Sequence, residues 1–152
     1  MHFYASQRRK MKKILLLEDM EDRVVAFRAA ITKLADVEMV LWRDAGTMIR
    51  DLPEHLSTAS IISLDHDLLP AGGSASDPGT GLDVCEALAK QKPTCPVLLH
   101  TANYIKVWPM MNELAFAKWD IHRTPPVRMD ESWIETVWLP RIMSLLERNP
   151  RG

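Results

Sequence analysis

The sequence predicts an α/β protein, a doubly wound five-stranded parallel sheet covered by helices on both faces. Three observations carry that expectation. Short apolar runs alternate with segments of helical periodicity along the 152 residues, as repeated strand–helix units do. The runs are continuously apolar rather than alternating, which suits strands buried on both sides. Acidic, histidine and threonine residues follow directly on several runs, where the carboxyl edge of such a sheet holds its ligand site.

Ile14-Leu15-Leu16-Leu17 forms the first strand and stops at Glu18-Asp19. A helix is expected from about Glu21 to Ala35, with Val24, Phe27, Ile31 and Leu34 at helical spacing. Val37 to Trp42 is the second strand, and Met48 to Leu56 a short helical stretch interrupted by Pro53. Ile61-Ile62-Ser63-Leu64 is the third strand, ending at Asp65-His66-Asp67. A loop rich in Gly, Ser and Pro runs from Pro70 to Gly79, and Gly81 opens a helix with Leu82, Cys85 and Leu88 on one face. Pro96-Val97-Leu98-Leu99 is the fourth strand, ending at His100-Thr101. Asn103 caps the next helix, which Pro109 is expected to break or kink. Trp119 to Arg123 is the fifth strand, placed mainly by the rhythm of the others. Ser132 caps a last helix with Trp133, Val137, Ile142 and Leu146 facing inward, and Pro140 splits or restarts it.

Composition narrows the class. With 47% hydrophobic and 26% charged residues, the chain is ordinary globular material. A chain of this length buries roughly two-thirds of its unfolded surface in one domain. No apolar run approaches the ~20 residues of a membrane span, and no signal-peptide pattern opens the sequence. Cys85 and Cys95 are too few for a disulfide scaffold, so a reduced, cytoplasmic setting is expected. Five of the 19 basic residues fall in the first 13 positions, leaving 14 basic against 20 acidic residues in the rest. Residues 1–11 therefore read as a flexible basic extension and 12–149 as a single domain. An acidic body argues against a broad nucleic-acid surface, leaving at most an RNA end.

Three of the five histidines, His66, His100 and His122, fall at strand ends, while His2 and His55 read as surface positions. Glu18, Asp19 and Asp65 suit a hard divalent cation, Mg²⁺ or Mn²⁺, which takes oxygen ligands and bridges carboxylates to phosphate. A backbone carbonyl near Asp67 completes that set, and no His/Cys spacing favours zinc. Taken singly, each residue has a plainer explanation. Asp19 serves as a helix cap, Asp65-His66-Asp67 as a polar turn, and His100 as a hydrogen-bonded structural histidine. Their joint placement at the strand ends is what points to a site.

This pattern resembles the receiver domain of two-component response regulators over nearly the whole chain, from Lys12 to about Glu147. Glu18-Asp19 matches the family's acidic pair, Asp65 its phosphoacceptor, and Asp67 the position lending a carbonyl to the metal. Pro96 to Ala102 matches the fourth strand with its switch residue at Thr101, and Gly81 the glycine opening the third helix. The resemblance implies the strand order 2-1-3-4-5. Departures are equally clear. Arg123-Thr124-Pro125 stands where the family has a lysine, and the loop between Asp65 and Gly81 is long. His66 and His100 add imidazoles. Asp65-His66-Asp67-Leu68 with His100-Thr101-Ala102-Asn103 resembles, more narrowly, a receiver-derived group associated with processing cyclic phosphates.

That narrower resemblance implies a metal-dependent phosphoesterase acting on a small phosphorylated or cyclic-phosphate substrate. Glu18, Asp19, Asp65 and Asp67 form its metal set. His100 and His66 exchange protons as general base and acid, and Arg123, with His122 as competitor, clamps the phosphate alongside Thr101 and Asn103. The alternative is a stand-alone receiver phosphorylated on Asp65, which signals by docking on a protein partner. A binding module that keeps the shape without the chemistry is the third reading.

Overall fold

The computed structural model describes residues 10–70, 76–127 and 130–148. The sheet has five parallel strands in the order β2-β1-β3-β4-β5: β1 (Lys12–Leu17), β2 (Val37–Trp42), β3 (Ala59–Leu64), β4 (Val97–Leu99) and β5 (Ile121–Arg123). The helices are α1 (Glu21–Ile31), α2 (Ala45–His55), α3 (Gly81–Ala89), α4 (Val107–Phe116) and α5 (Leu139–Arg148). Most of the basic extension, the tip of the Gly/Ser/Pro loop and residue 149 lie outside the described residues. Among those described, no helix is long and apolar enough to cross a membrane.

Alternation along the strands divides the core into two layers. Leu15, Leu17, Ile62, Leu64, Val97 and Leu99 face α2, α3 and α4. Ile14, Leu16, Ile61 and Leu98 face α1 and α5, with Phe27, Trp133 and Trp138 filling the space between. Both cysteines are buried, and neither forms a disulfide among the described residues.

Several element boundaries differ from the sequence expectation, each for a local reason. The first helix stops at Ile31, because the chain turns through Asp36 at φ 57° to enter β2. The Asp44 side chain accepts from the Thr47 amide at 2.8 Å, so α2 begins at Ala45 and runs past Pro53 to His55. Pro109 breaks nothing: it is the third residue of α4, where no intrahelical partner awaits its missing N–H. Asn103 caps the turn before that helix, its Oδ1 accepting from the Lys106 amide at 2.9 Å. Asp130, rather than Ser132, accepts at the start of the last helical segment, taking the Ser132 amide at 3.0 Å. His55 is half-buried against Trp42 and 3.0 Å from Lys13 Nζ; His2 lies outside the described residues.

The last helical segment is continuous but changes pitch. Ile134–Trp138 form a π turn, with the Leu139 amide bonding back to Ile134 O, and α5 follows directly. An α-helical Pro140 would collide with the carbonyl four residues earlier, and the wider turn relieves that collision.

Candidate active site

The ladders extend one residue past the strands and so set the register of the residues beyond them. The Glu18 amide bonds to Trp42 O at 3.1 Å, Asp65 to Leu17 O at 3.1 Å, His100 to Leu64 O at 3.0 Å and Thr124 to Leu99 O at 3.0 Å. Counting in twos from Leu16, Ile61 and Leu98 puts Glu18, Ser63, Asp65 and His100 on the α1/α5 side of the sheet. Glu18, Asp65 and His100 accordingly meet, each offering a candidate ligand atom within 4.8 Å of the others.

Glu18 and His100 are fully buried. One carboxylate oxygen of Glu18, Oε2, accepts from the amides of Asp19 at 3.1 Å and Met20 at 3.3 Å, where the chain enters α1. The other, Oε1, lies 3.3 Å from His100 Nε2 and 3.5 Å from the Arg23 guanidinium. Burial works to raise the Glu18 pKa, but His100 and Arg23 outweigh it and hold the carboxyl below its ordinary value. Behind His100, the Trp138 indole N–H donates to Ser63 Oγ at 3.0 Å, and Ser63 Oγ lies 2.8 Å from His100 Nδ1. The indole only donates, and the Glu18 carboxylate beside Nε2 favours the ring proton on that side, so the Ser63 O–H is assigned as the donor to Nδ1. With that assignment the imidazole proton sits on Nε2, facing Glu18. Phe27, at 5.1 Å between ring centroids, and Trp133, stacked at 6.3 Å, enclose the ring.

Asp65 stands between this buried group and solvent. Its Oδ1 accepts from the His66 amide at 2.7 Å, and its Oδ2 is 3.6 Å from Arg23. Burial, reinforced by the negative charge of Glu18, pushes its pKa up to about 8. A cavity of about 250 Å³ opens above it, lined by Asp19, Met20, Arg23, Asp65, Asp67, Leu69, Thr101 and Ala102. Asp19 holds the Leu69 amide through Oδ2, while its Oδ1 is buried without a hydrogen-bond partner. Burial and the neighbouring Glu18 raise the Asp19 pKa. Asp19 is thus no helix cap.

His66 and Asp67 form a second imidazole–carboxylate pair, with Nδ1 and Oδ1 2.6 Å apart. Asn103 Nδ2 donates to Asp67 Oδ2 at 3.1 Å, and the Asn103 amide donates to Thr101 Oγ1 at 3.0 Å. Burial opposes ionisation of Asp67, but hydrogen bonds from His66 and Asn103 prevail and lower its pKa. Gly81 closes the site from behind. Its amide donates to His66 O at 2.9 Å, and a Cβ there would lie 1.9 Å from Asp65 O. Only glycine allows α3 to start this close.

The structure thus gathers Glu18, Asp19, Asp65, His66, Asp67, His100, Thr101 and Asn103 at one edge. It does not bring Arg123 there. In β5, Arg123 pairs with Leu99 and so points to the α4 side, 6.0 Å from the Trp108 ring. His122 takes the other face and pairs with Asp120 at 3.0 Å. The residue that sequence reasoning misses is Arg23. Its signal is weak, one more charge on an exposed-looking helix, but it lies one position before buried Val24 and four before Phe27.

The donor set fits a hard divalent cation on a structural criterion. Asp19 Oδ1 is a buried carboxylate oxygen without a hydrogen-bond partner, and Asp19 lines the cavity with Asp65; clustered carboxylates resist ionisation until a cation neutralises them. Asp19, Asp65 and the backbone carbonyl at Asp67 are the groups that would hold the ion, with Glu18 adding charge behind them.

Many solved structures share the fold. The signal receiver domain of an HD domain-containing protein from Pseudomonas fluorescens Pf-5 superposes with TM-score 0.67 at 14% identity, over 94% of this chain and 100% of that one. The response regulator domain of Thermotoga maritima CheB gives 0.65 at 13% identity, over 93% and 100%. The non-phosphorylated receiver domain of the stress response regulator RcsB from Escherichia coli gives 0.60 at 14% identity, over 91% and 95%. At such identities the likeness shows the fold alone. None of the curated proteins matches the sequence. A family model does: the one described as the cyclic-phosphate processing Receiver domain covers residues 13–116, more than half of the chain and nearly all of the site. The chain belongs to the cyclic-phosphate processing receiver domain family.

Proposed function

We propose that the protein is a divalent-metal phosphoesterase that opens a small cyclic phosphodiester by hydrolysis. The observation that carries this reading is the pair of imidazole–carboxylate contacts, His66 with Asp67 and His100 with Glu18, of which Asp67 lines the acidic cavity and the other three lie buried behind its wall. A pocket that only accepts a phosphoryl group on Asp65 has no need of them.

Bound Mg²⁺ or Mn²⁺ would supply charge neutralisation for the phosphate and for the charge that grows in the transition state. The remaining work falls to the chain. Asp67 fixes the His66 proton on Nδ1, leaving Nε2 to take a proton from the attacking water. The new P–O bond forms as the ring P–O bond breaks, and the same imidazole returns the proton to the leaving oxygen, giving a phosphomonoester and a free hydroxyl. His66 is itself buried but keeps 5% of its surface exposed beside Asp67, whereas His100, with none, sits behind Glu18 and cannot play that part. Its role is to hold Glu18 ionised and aimed at Asp65. Thr101 contributes its hydroxyl at the cavity wall. The acidic body disfavours a long polyanion as substrate, while a nucleotide, an ADP-ribose derivative or an RNA end is compatible with it.

Phosphorus NMR with Mg²⁺ and a panel of small cyclic phosphates tests the proposal. The wild type should convert at least one of them. His66→Ala should slow conversion about 10²–10⁴-fold with Mg²⁺ binding retained. An unaltered rate in that variant would refute the assignment.

A second reading draws on Asp65 and Thr101 sharing a cavity in a receiver fold. Asp65 would accept a phosphoryl group and signal to a protein partner. Labelling by a small phosphodonor, lost in Asp65→Asn, would favour it over hydrolysis.

A further inference from the structure

We propose that Arg23 is the cation that binds the phosphate in this site. The inference rests on the phosphate-pocket reading above and names a residue for a task that pocket leaves open. A cavity walled by Asp19, Asp65 and Asp67 repels a phosphate unless a positive side chain shares the wall, and among the described residues Arg23 is the basic one lining it. The Arg23 side chain is 15% exposed, and its guanidinium lies 3.5 Å from Glu18 Oε1 and 3.6 Å from Asp65 Oδ2, so it is held at the junction of the buried group and the cavity. The Trp133 ring, 5.5 Å from its carbon centre, supports it from behind. Neither contact is a short bidentate pairing, so the planar fork of donors is not consumed by one carboxylate and keeps N–H groups for phosphate oxygens.

Arg123 fails each of these conditions. It lies on the opposite side of the sheet against Trp108 and is absent from the cavity wall. The fold therefore carries its phosphate cation on α1, next to the acidic pair, and not on β5.

Calorimetry with the full chain tests this, titrating Mg²⁺ alone and then inorganic phosphate at saturating Mg²⁺. Arg23→Met should weaken phosphate about 10- to 100-fold, the range for a lost charge-assisted hydrogen bond, while Mg²⁺ binds as tightly or tighter. Arg23→Lys, which keeps the charge without the fork, should recover part of the loss and guards against a poorly folded Met variant. Arg123→Met should bind phosphate as the wild type does. The proposal is overturned if phosphate affinity survives in Arg23→Met, if Arg123→Met takes the loss, or if the wild type binds no phosphate. It is also overturned if Arg23→Lys loses Mg²⁺ and phosphate together, which marks a structural counterion. Phosphate binding through Arg23 with no cyclic phosphate hydrolysed would sink the enzyme reading and leave this one standing. Hydrolysis with Arg23→Met binding phosphate normally would do the reverse.

Discussion

Replacing Asp65 with asparagine should stabilise the metal-free protein, although it removes a residue from the centre of the site. In the folded chain Asp65 keeps its proton up to about pH 8, whereas in the unfolded chain it releases it near the ordinary 3.8. A carboxyl with a raised folded pKa costs stability that grows as pH climbs from about 4 to about 8 and is constant beyond. At pH 7 the ceiling is about 3 pH units, or about 4 kcal/mol. Glu18 is common to both proteins and its contribution cancels; the contacts to the His66 amide and Arg23 that asparagine makes less well offset part of the ceiling, so the net gain in Asp65→Asn should be about 1–3 kcal/mol, or roughly 3–10 °C in Tm for a chain of this size. Asparagine keeps an oxygen for the His66 amide and adds no charge beside Glu18. Thermal melts of both proteins in chelator, from pH 5 to pH 8.5, measure the difference, which should widen with pH. Excess Mg²⁺ should narrow or reverse it by stabilising only the wild type. A difference that is flat with pH, or an asparagine variant that melts earlier at pH 8 without metal, would refute the account of Asp65.

Other expectations follow from contacts away from the cavity mouth. Ser63→Ala strips the partner from both the Trp138 indole and His100 Nδ1; with about 1–3 kcal/mol for each buried group left unpaired, urea denaturation should show a loss of at least ~2 kcal/mol. A loss under ~1 kcal/mol would mean that the serine does not bridge the two rings. Gly81→Ala drives a methyl into Asp65 O and should lower both Tm and Mg²⁺ affinity. Gly46→Ala, exposed in α2 with its nearest atom at 3.5 Å, should instead stabilise by about 0.5–1 kcal/mol, and a destabilised Gly46 variant would contradict the open space there.

The fold was legible because its strands are continuous apolar runs with polar residues directly after them. Strand order followed from resemblance, since hydrophobic pattern carries no information about which strands are neighbours. The site was legible as a set of strand ends, and strand alternation further divides those ends between the two faces of the sheet. Counting in twos along Ile14, Leu16 and Glu18, or Ile61, Ser63 and Asp65, would have put Glu18, Asp65 and His100 together from sequence alone. The same count sends Arg123 to the other side, and there the expectation of a phosphate clamp parted from the geometry. Arg23 could not be found this way, because its place depends on how α1 rolls against Trp133, and packing of that kind leaves no periodic trace. Pro109 and Pro53 misled for a simpler reason: a proline's effect depends on its distance from a helix end, and helix ends are the least certain part of a sequence reading.

The π turn at Ile134–Trp138 bears on insertions and deletions. Such a turn is an α-helix that has absorbed one residue beyond its hydrogen-bonding need. A wide turn carries one more residue around nearly the same rotation, so deleting one there would let ordinary winding resume with Trp133 upstream and Ile142 and Leu145 downstream still facing the core. A deletion within α5 itself, where winding is regular, would instead rotate one flank by about 100° against the other and take Trp133 away from Arg23 and His100. The five residues thus uncouple chain length from helix face. Deletion scanning would register it as a contrast between the π turn and the helix that follows.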